Sequence, residues 1–132
     1  MKKNKNFIKN ILFLFIFGLV LFFLHFILYR FEPEIIKTKI ILAAHPFLFV
    51  LTIISIFVMN KIFKKLKINM LGYVFLLCSM LKMALAVVFV FPTIRSDVED
   101  KILFVVQFFI IYFFYLVWEV VIIYKHLKNS QK

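Results

Sequence analysis

Four apolar runs, each about twenty residues long, cut this chain into five polar pieces, and that division constrains the fold more than any other feature. The runs are continuous in their hydrophobicity. They do not alternate between apolar and polar residues, so they read as helices and not as barrel strands. In lipid every backbone polar group must find its partner within the protein, and a helix meets that demand within each span. The expected spans are 7–29, 40–60, 69–91 and 102–124. Short connections make sequence neighbours antiparallel. The expectation is therefore all-α: a polytopic membrane protein with four transmembrane helices in an antiparallel bundle, forming one domain over residues 1–132.

The polar pieces differ in charge. The first, third and fifth hold Lys2, Lys3, Lys5, Lys9, Lys61, Lys64, Lys65, Lys67, Lys125, Lys128 and Lys132, with no Asp or Glu. The second and fourth hold Arg30, Lys37, Lys39, Arg95 and Lys101 against Glu32, Glu34, Asp97, Glu99 and Asp100. Lysine and arginine accumulate on the cytoplasmic side of membrane proteins, so both termini and the middle loop are expected inside. The formal net charge of +11 is thereby a topology signal. Nucleic acid is not an expected partner, because every excess lysine flanks a span; the lipid bilayer is, with anionic headgroups beside those lysines. The setting expected is a bacterial inner membrane.

With 65% hydrophobic residues, nearly the whole chain is committed to spanning, which leaves no room for a soluble catalytic domain. Cys78 is the single cysteine, so an internal disulfide is impossible. The basic start MKKNKNFIKN resembles a signal peptide's n-region, but the apolar stretch after it is too long and no A-x-A-like site follows. An uncleaved first helix is expected. Pro33 suits the turn between helices 1 and 2, and Pro92 is expected to end helix 3. Asp97, Glu99 and Asp100 then fall at the start of helix 4, where negative charge favours the helix dipole.

Ionisable groups inside a span are costly and call for a reason. Lys82 and Glu119 are the two charges within the runs, and they are the leading functional candidates. At about 1.5 Å per residue, His25, His45, Gln107 and Lys82 all fall in the outer half of the membrane, from four different helices. On helix 3, Cys78, Ser79, Lys82 and Ala86 share a face. On helix 2, His45, Thr52 and Ser55 do so with Ala44 and Leu48, and on helix 1 Gly18 and His25 align. These small and polar stripes are expected to turn inward. They would form one polar cluster around Lys82, supported by His25, His45, Ser79 and Gln107. The blander reading leaves the two histidines near the interface, bonded to backbone or water.

Glu119 lies deeper. It shares a face of helix 4 with Tyr112 and Tyr115. Its axial offset from Lys82 comes to about 13 Å, which is long for a direct contact. A tyrosine hydroxyl or the inner lysines are the expected partners. The chain has no Gly-rich phosphate loop, HExxH, zinc spacing or Ser-His-Asp set, and neither catalytic residues nor a metal site are expected. Two depth-matched histidines are compatible with a haem, but no supporting pattern accompanies them and no cofactor is expected.

The stretch LLCSMLKMALAVVFVFP, residues 76–92, resembles the third helix of the ATP synthase protein I family, small membrane proteins with four helices and a lysine in the third. In that family a glycine and a carboxylate often precede the lysine; here Cys78 and Ser79 stand near those places. The resemblance implies a non-enzymatic factor assisting assembly of the F-type ATP synthase rotor ring, with Lys82 as the position carried over. It also implies ATP synthase membrane subunits as partners. Two alternatives stand beside it. One is a small proton- or cation-coupled transporter using Glu119; small multidrug transporters have a membrane glutamate too, but in their first helix. The other is a structural subunit of a larger membrane complex.

Overall fold

The computed structural model describes residues 2–31, 40–63, 65, 68–97 and 101–130. Four helices account for almost all of them: α1 (Lys2–Phe31), α2 (Ile40–Phe63), α3 (Ile68–Arg95) and α4 (Lys101–Ser130). All four are long and apolar enough to cross a membrane, which makes the chain a multi-pass membrane protein by length and composition. The readings placed on Pro33, Glu99 and Asp100 lie outside the described residues. Each helix outruns the apolar run that revealed it. Hydropathy marks where lipid ends, whereas backbone hydrogen bonding continues through the lysine-bearing turns beyond it.

Pro92 does not end α3. The helix continues to Arg95 and closes with Ser96 N–H donating to Pro92 O at 3.1 Å and Ser96 Oγ donating to Thr93 O at 2.8 Å. A proline removes one backbone donor, but neighbouring groups in a membrane bundle accommodate that loss. Pro46 is likewise carried inside α2.

Burial follows helical spacing on each element. On α2 the buried stripe is Ile41, Ala44, Leu48, Thr52, Ser55 and Met59; on α4 it is Phe104, Phe108, Ile111, Tyr115, Glu119 and Ile122. These steps of three and four residues keep one face toward the protein. α3 contributes a shorter stripe of Lys82, Ala86, Val90 and Thr93, and among the described side chains of α1 Leu14 and Gly18 are the buried ones. α2 packs against all three other helices and most closely against α4, so these two form the centre, with α1 and α3 flanking them. Ala44, Thr52 and Ser55 are small, which lets the α2 backbone approach its neighbours. Outward faces carry Phe, Leu, Ile and Val, as lipid contact requires.

Aromatic contacts set the register. His25 meets His45 while Phe15 meets Phe49, so α1 and α2 run in opposite directions. Phe47 stacks on Phe89 at 4.2 Å, and Phe89 on Phe108 at 5.9 Å, tying α2, α3 and α4 at one level. Near the other end Phe13 and Phe17 stack on Trp118.

Candidate functional site

At the centre of the bundle Lys82 reaches across two helix interfaces. Its Nζ donates to Glu119 Oε2 at 2.6 Å and to Thr52 Oγ1 at 2.7 Å. Both charged side chains are almost completely enclosed, Lys82 at 2% and Glu119 at 1% exposure. Thr52 in turn donates its hydroxyl proton to Leu48 O at 2.8 Å, one turn back in α2. That bond leaves the threonine oxygen free to accept from the ammonium. The Tyr112 ring adds a cation–π contact, 5.8 Å from its centroid to Nζ. One cation is thus held by α2 and α4 at once, from its position on α3.

This pairing corrects two expectations, the excessive offset and the choice of a tyrosine or an inner lysine as the partner of Glu119. Measured from the Phe89–Phe108 level, Lys82 lies two turns back along α3 and Glu119 three turns on along α4. Their offset is therefore about one turn, roughly 6 Å, and not 13 Å. The earlier figure took Pro92 as the end of α3. The remaining gap is closed by side-chain direction. Cα–Cβ bonds tilt toward the start of their own helix, and α3 and α4 run oppositely, so Lys82 and Glu119 lean toward each other. The long lysine stem supplies the rest.

The expected single cluster around Lys82 resolves into two centres. His25 and His45 bond directly to each other, Nδ1 to Nε2 at 3.1 Å, with ring centroids 5.1 Å apart and Phe22 edge-on against His45. His45 is buried and His25 half-buried. This pair lies two turns along α2 from Thr52, about 10 Å away. Because the two imidazoles hold each other, they do not gather around Lys82. Ser79 sits one turn from Lys82 on α3, with its hydroxyl buried and without a hydrogen-bond partner. Gln107 is half-buried on α4. No group of three or more His, Cys, Asp or Glu side chains is placed to hold a metal among the described residues.

Thr52 is the member of the ion-pair site that had been assigned no role beyond its helix face. Its signal in the sequence was its place on that face, two turns after His45. Glu119 Oε1 is buried without a hydrogen-bond partner, as are His45 Nδ1 and Trp118 Nε1. Such groups are expensive in a dry interior. Two cavities lie elsewhere in the bundle. A cavity of about 320 Å³ between α1 and α2 is lined by Phe15, Gly18, Phe22, His45, Phe49 and Tyr115, and a larger one lies near the start of α1. Neither is lined by Lys82 or Glu119.

Chemically, the centre is a preformed seat for one carboxylate on one ammonium, inside a low-dielectric interior. Among the described residues it has no group placed to hold a metal. In comparisons with known proteins, no family model matches the chain, and no curated protein or solved structure matches it either.

Proposed function

We propose that this protein is a non-enzymatic accessory or assembly factor of the membrane, acting on another membrane protein by lateral contact within the bilayer. The observation that carries this reading is the Lys82–Glu119 pair, seated on Thr52 and closed off from the cavities. An enclosed pair that lines neither cavity suits exchange with a neighbouring membrane helix that parts α3 from α4, more than exchange with a solute arriving from water. It suits a protein that presents apolar helix faces and keeps one intramembrane cation in reserve.

The client we propose is the rotor ring of an F-type ATP synthase, on the resemblance of residues 76–92 to the protein I family. Rotor subunits are hairpins that carry a buried carboxylate, which must be shielded until the ring closes. Glu119 occupies Lys82 at rest, and a client carboxylate would take its place. The exchange balances if the client's carboxylic acid passes its proton to Glu119: the client carboxylate then pairs with Lys82, Glu119 is left neutral, and neither an ammonium nor a second carboxylate is bared in lipid.

The test is the yield of assembled ring in cells carrying Lys82→Met together with Glu119→Leu. The double variant removes both charges and so leaves no orphan in the bundle. Ring yield is expected to fall while the variant remains folded and membrane-inserted. An undiminished yield from a stably folded double variant would reject the assembly role.

One observation favours a second reading. Glu119 keeps an unpartnered oxygen, a free acceptor for a proton or small cation. A coupled transporter would use that oxygen, with Lys82 released on loading. Proteoliposome flux that Glu119→Gln abolishes would select this reading.

A further inference from the structure

The largest cavity among those described lies away from the ion pair, at the end of the bundle where α1 begins and α4 ends. It encloses about 460 Å³ and is lined by Lys9, Asn10, Phe13, Trp118, Lys125 and Lys128, with no acidic side chain among its lining residues. Two physical halves meet there. The half nearer the middle of the helices is aromatic: Phe13 and Trp118 line it and stack with centroids 5.9 Å apart, and Phe17 stacks on the same indole at 4.8 Å. The other half is cationic, with Lys125 and Lys128 one turn apart on α4 and Lys9 opposite on α1. Positive-inside topology explains why lysines collect at this end. It does not explain why three of them, from two helices, converge on one groove whose floor is apolar.

We propose that this groove is a binding site for one anionic phospholipid of the adjoining leaflet. Its phosphate is held by Lys9, Lys125 and Lys128, with Asn10 as an additional polar contact, and an acyl chain lies along Phe13 and Trp118. The fit is of chemistry as well as charge. A soluble phosphate would use the lysines and leave the aromatic wall facing nothing. A zwitterionic lipid would use the wall and leave three ammonium groups without a counter-charge. Basic pockets between transmembrane helices at a membrane surface are suited to such headgroups, and each lysine near the surface contributes about fivefold in affinity for anionic lipid.

Trp118 is the single tryptophan of the chain, so the groove carries its own reporter. The full-length protein is reconstituted in vesicles containing phosphatidylglycerol or phosphatidylcholine with brominated acyl chains, and quenching of Trp118 is followed against lipid fraction. Brominated phosphatidylglycerol should quench at a fraction at least ~tenfold lower than brominated phosphatidylcholine. The preference should vanish in Lys9→Gln/Lys125→Gln/Lys128→Gln. It should survive in Lys5→Gln/Lys61→Gln/Lys65→Gln, which removes the same charge elsewhere on the lysine-bearing segments. Equal quenching by the two lipids in the native chain would overturn the site. So would equal loss of preference in both triple variants, because the effect would then be diffuse charge. Relief of quenching by soluble glycerol phosphate would overturn it as well, by showing a soluble ligand.

Discussion

At the residue scale, the fold turns on how one ammonium is neutralised. Removing either partner of a buried pair strands the other charge, at a cost of about 3–5 kcal/mol, whereas replacing both with apolar groups is often neutral or stabilising. Lys82→Met and Glu119→Gln should therefore each lower the unfolding temperature in detergent sharply. The double variant Lys82→Met/Glu119→Leu should recover most of the loss, and absence of recovery would show that the pair is not closed as described. Thr52→Val keeps the shape and deletes an acceptor for Lys82; a loss of about 1–2 kcal/mol is expected from the same thermal measurement. The identities of Lys82 and Glu119 as the two intramembrane charges were legible from the sequence. Their contact was not, because it depends on an inter-helix register that Pro92 obscured and on side-chain tilts that hydropathy does not carry.

At the element scale, α1 is the most loosely held helix, and Gly18 is where it comes closest to the centre. A Cβ built on Gly18 would lie 3.0 Å from Tyr115 Oη and 3.3 Å from a Phe49 ring carbon. Gly18→Ile places a branched side chain against both and should destabilise by about 1–3 kcal/mol, as overpacking does. Tyr115→Phe in the same chain removes the closest atom and should return part of that loss; if it returns none, Phe49 sets the limit. α2 and α4 carry full buried stripes: Ala44, Thr52 and Ser55 of α2 are small, and Phe104, Phe108 and Tyr115 of α4 fill the space they leave. The polar faces proposed for α2 and α3 from spacing do point inward. The histidines and the lysine nevertheless form separate centres, since depth along a helix is set by packing that the sequence does not show.

At the scale of the whole molecule, the lysine distribution predicts a specific sidedness. In a Cys78→Ser background, Ser96→Cys should react with a membrane-impermeant maleimide in intact cells. Lys5→Cys and Ser130→Cys should react only after permeabilisation, and the reverse pattern would refute the orientation read from charge. The sequence by itself determined the class of this protein: four apolar runs of spanning length leave lipid-crossing helices as the available structure, because unpaired backbone is intolerable in hydrocarbon. It also marked the two charges that had to be explained. Only the tertiary structure decided that those charges neutralise each other, that α2 and α4 form the centre, and that Lys9, Lys125 and Lys128 meet beside Phe13 and Trp118. The physical reason is that hydropathy is a property of each segment taken alone. Partnership depends on rotation, register and tilt between segments, which show only in contacts such as those of Phe47 with Phe89 and of Phe89 with Phe108.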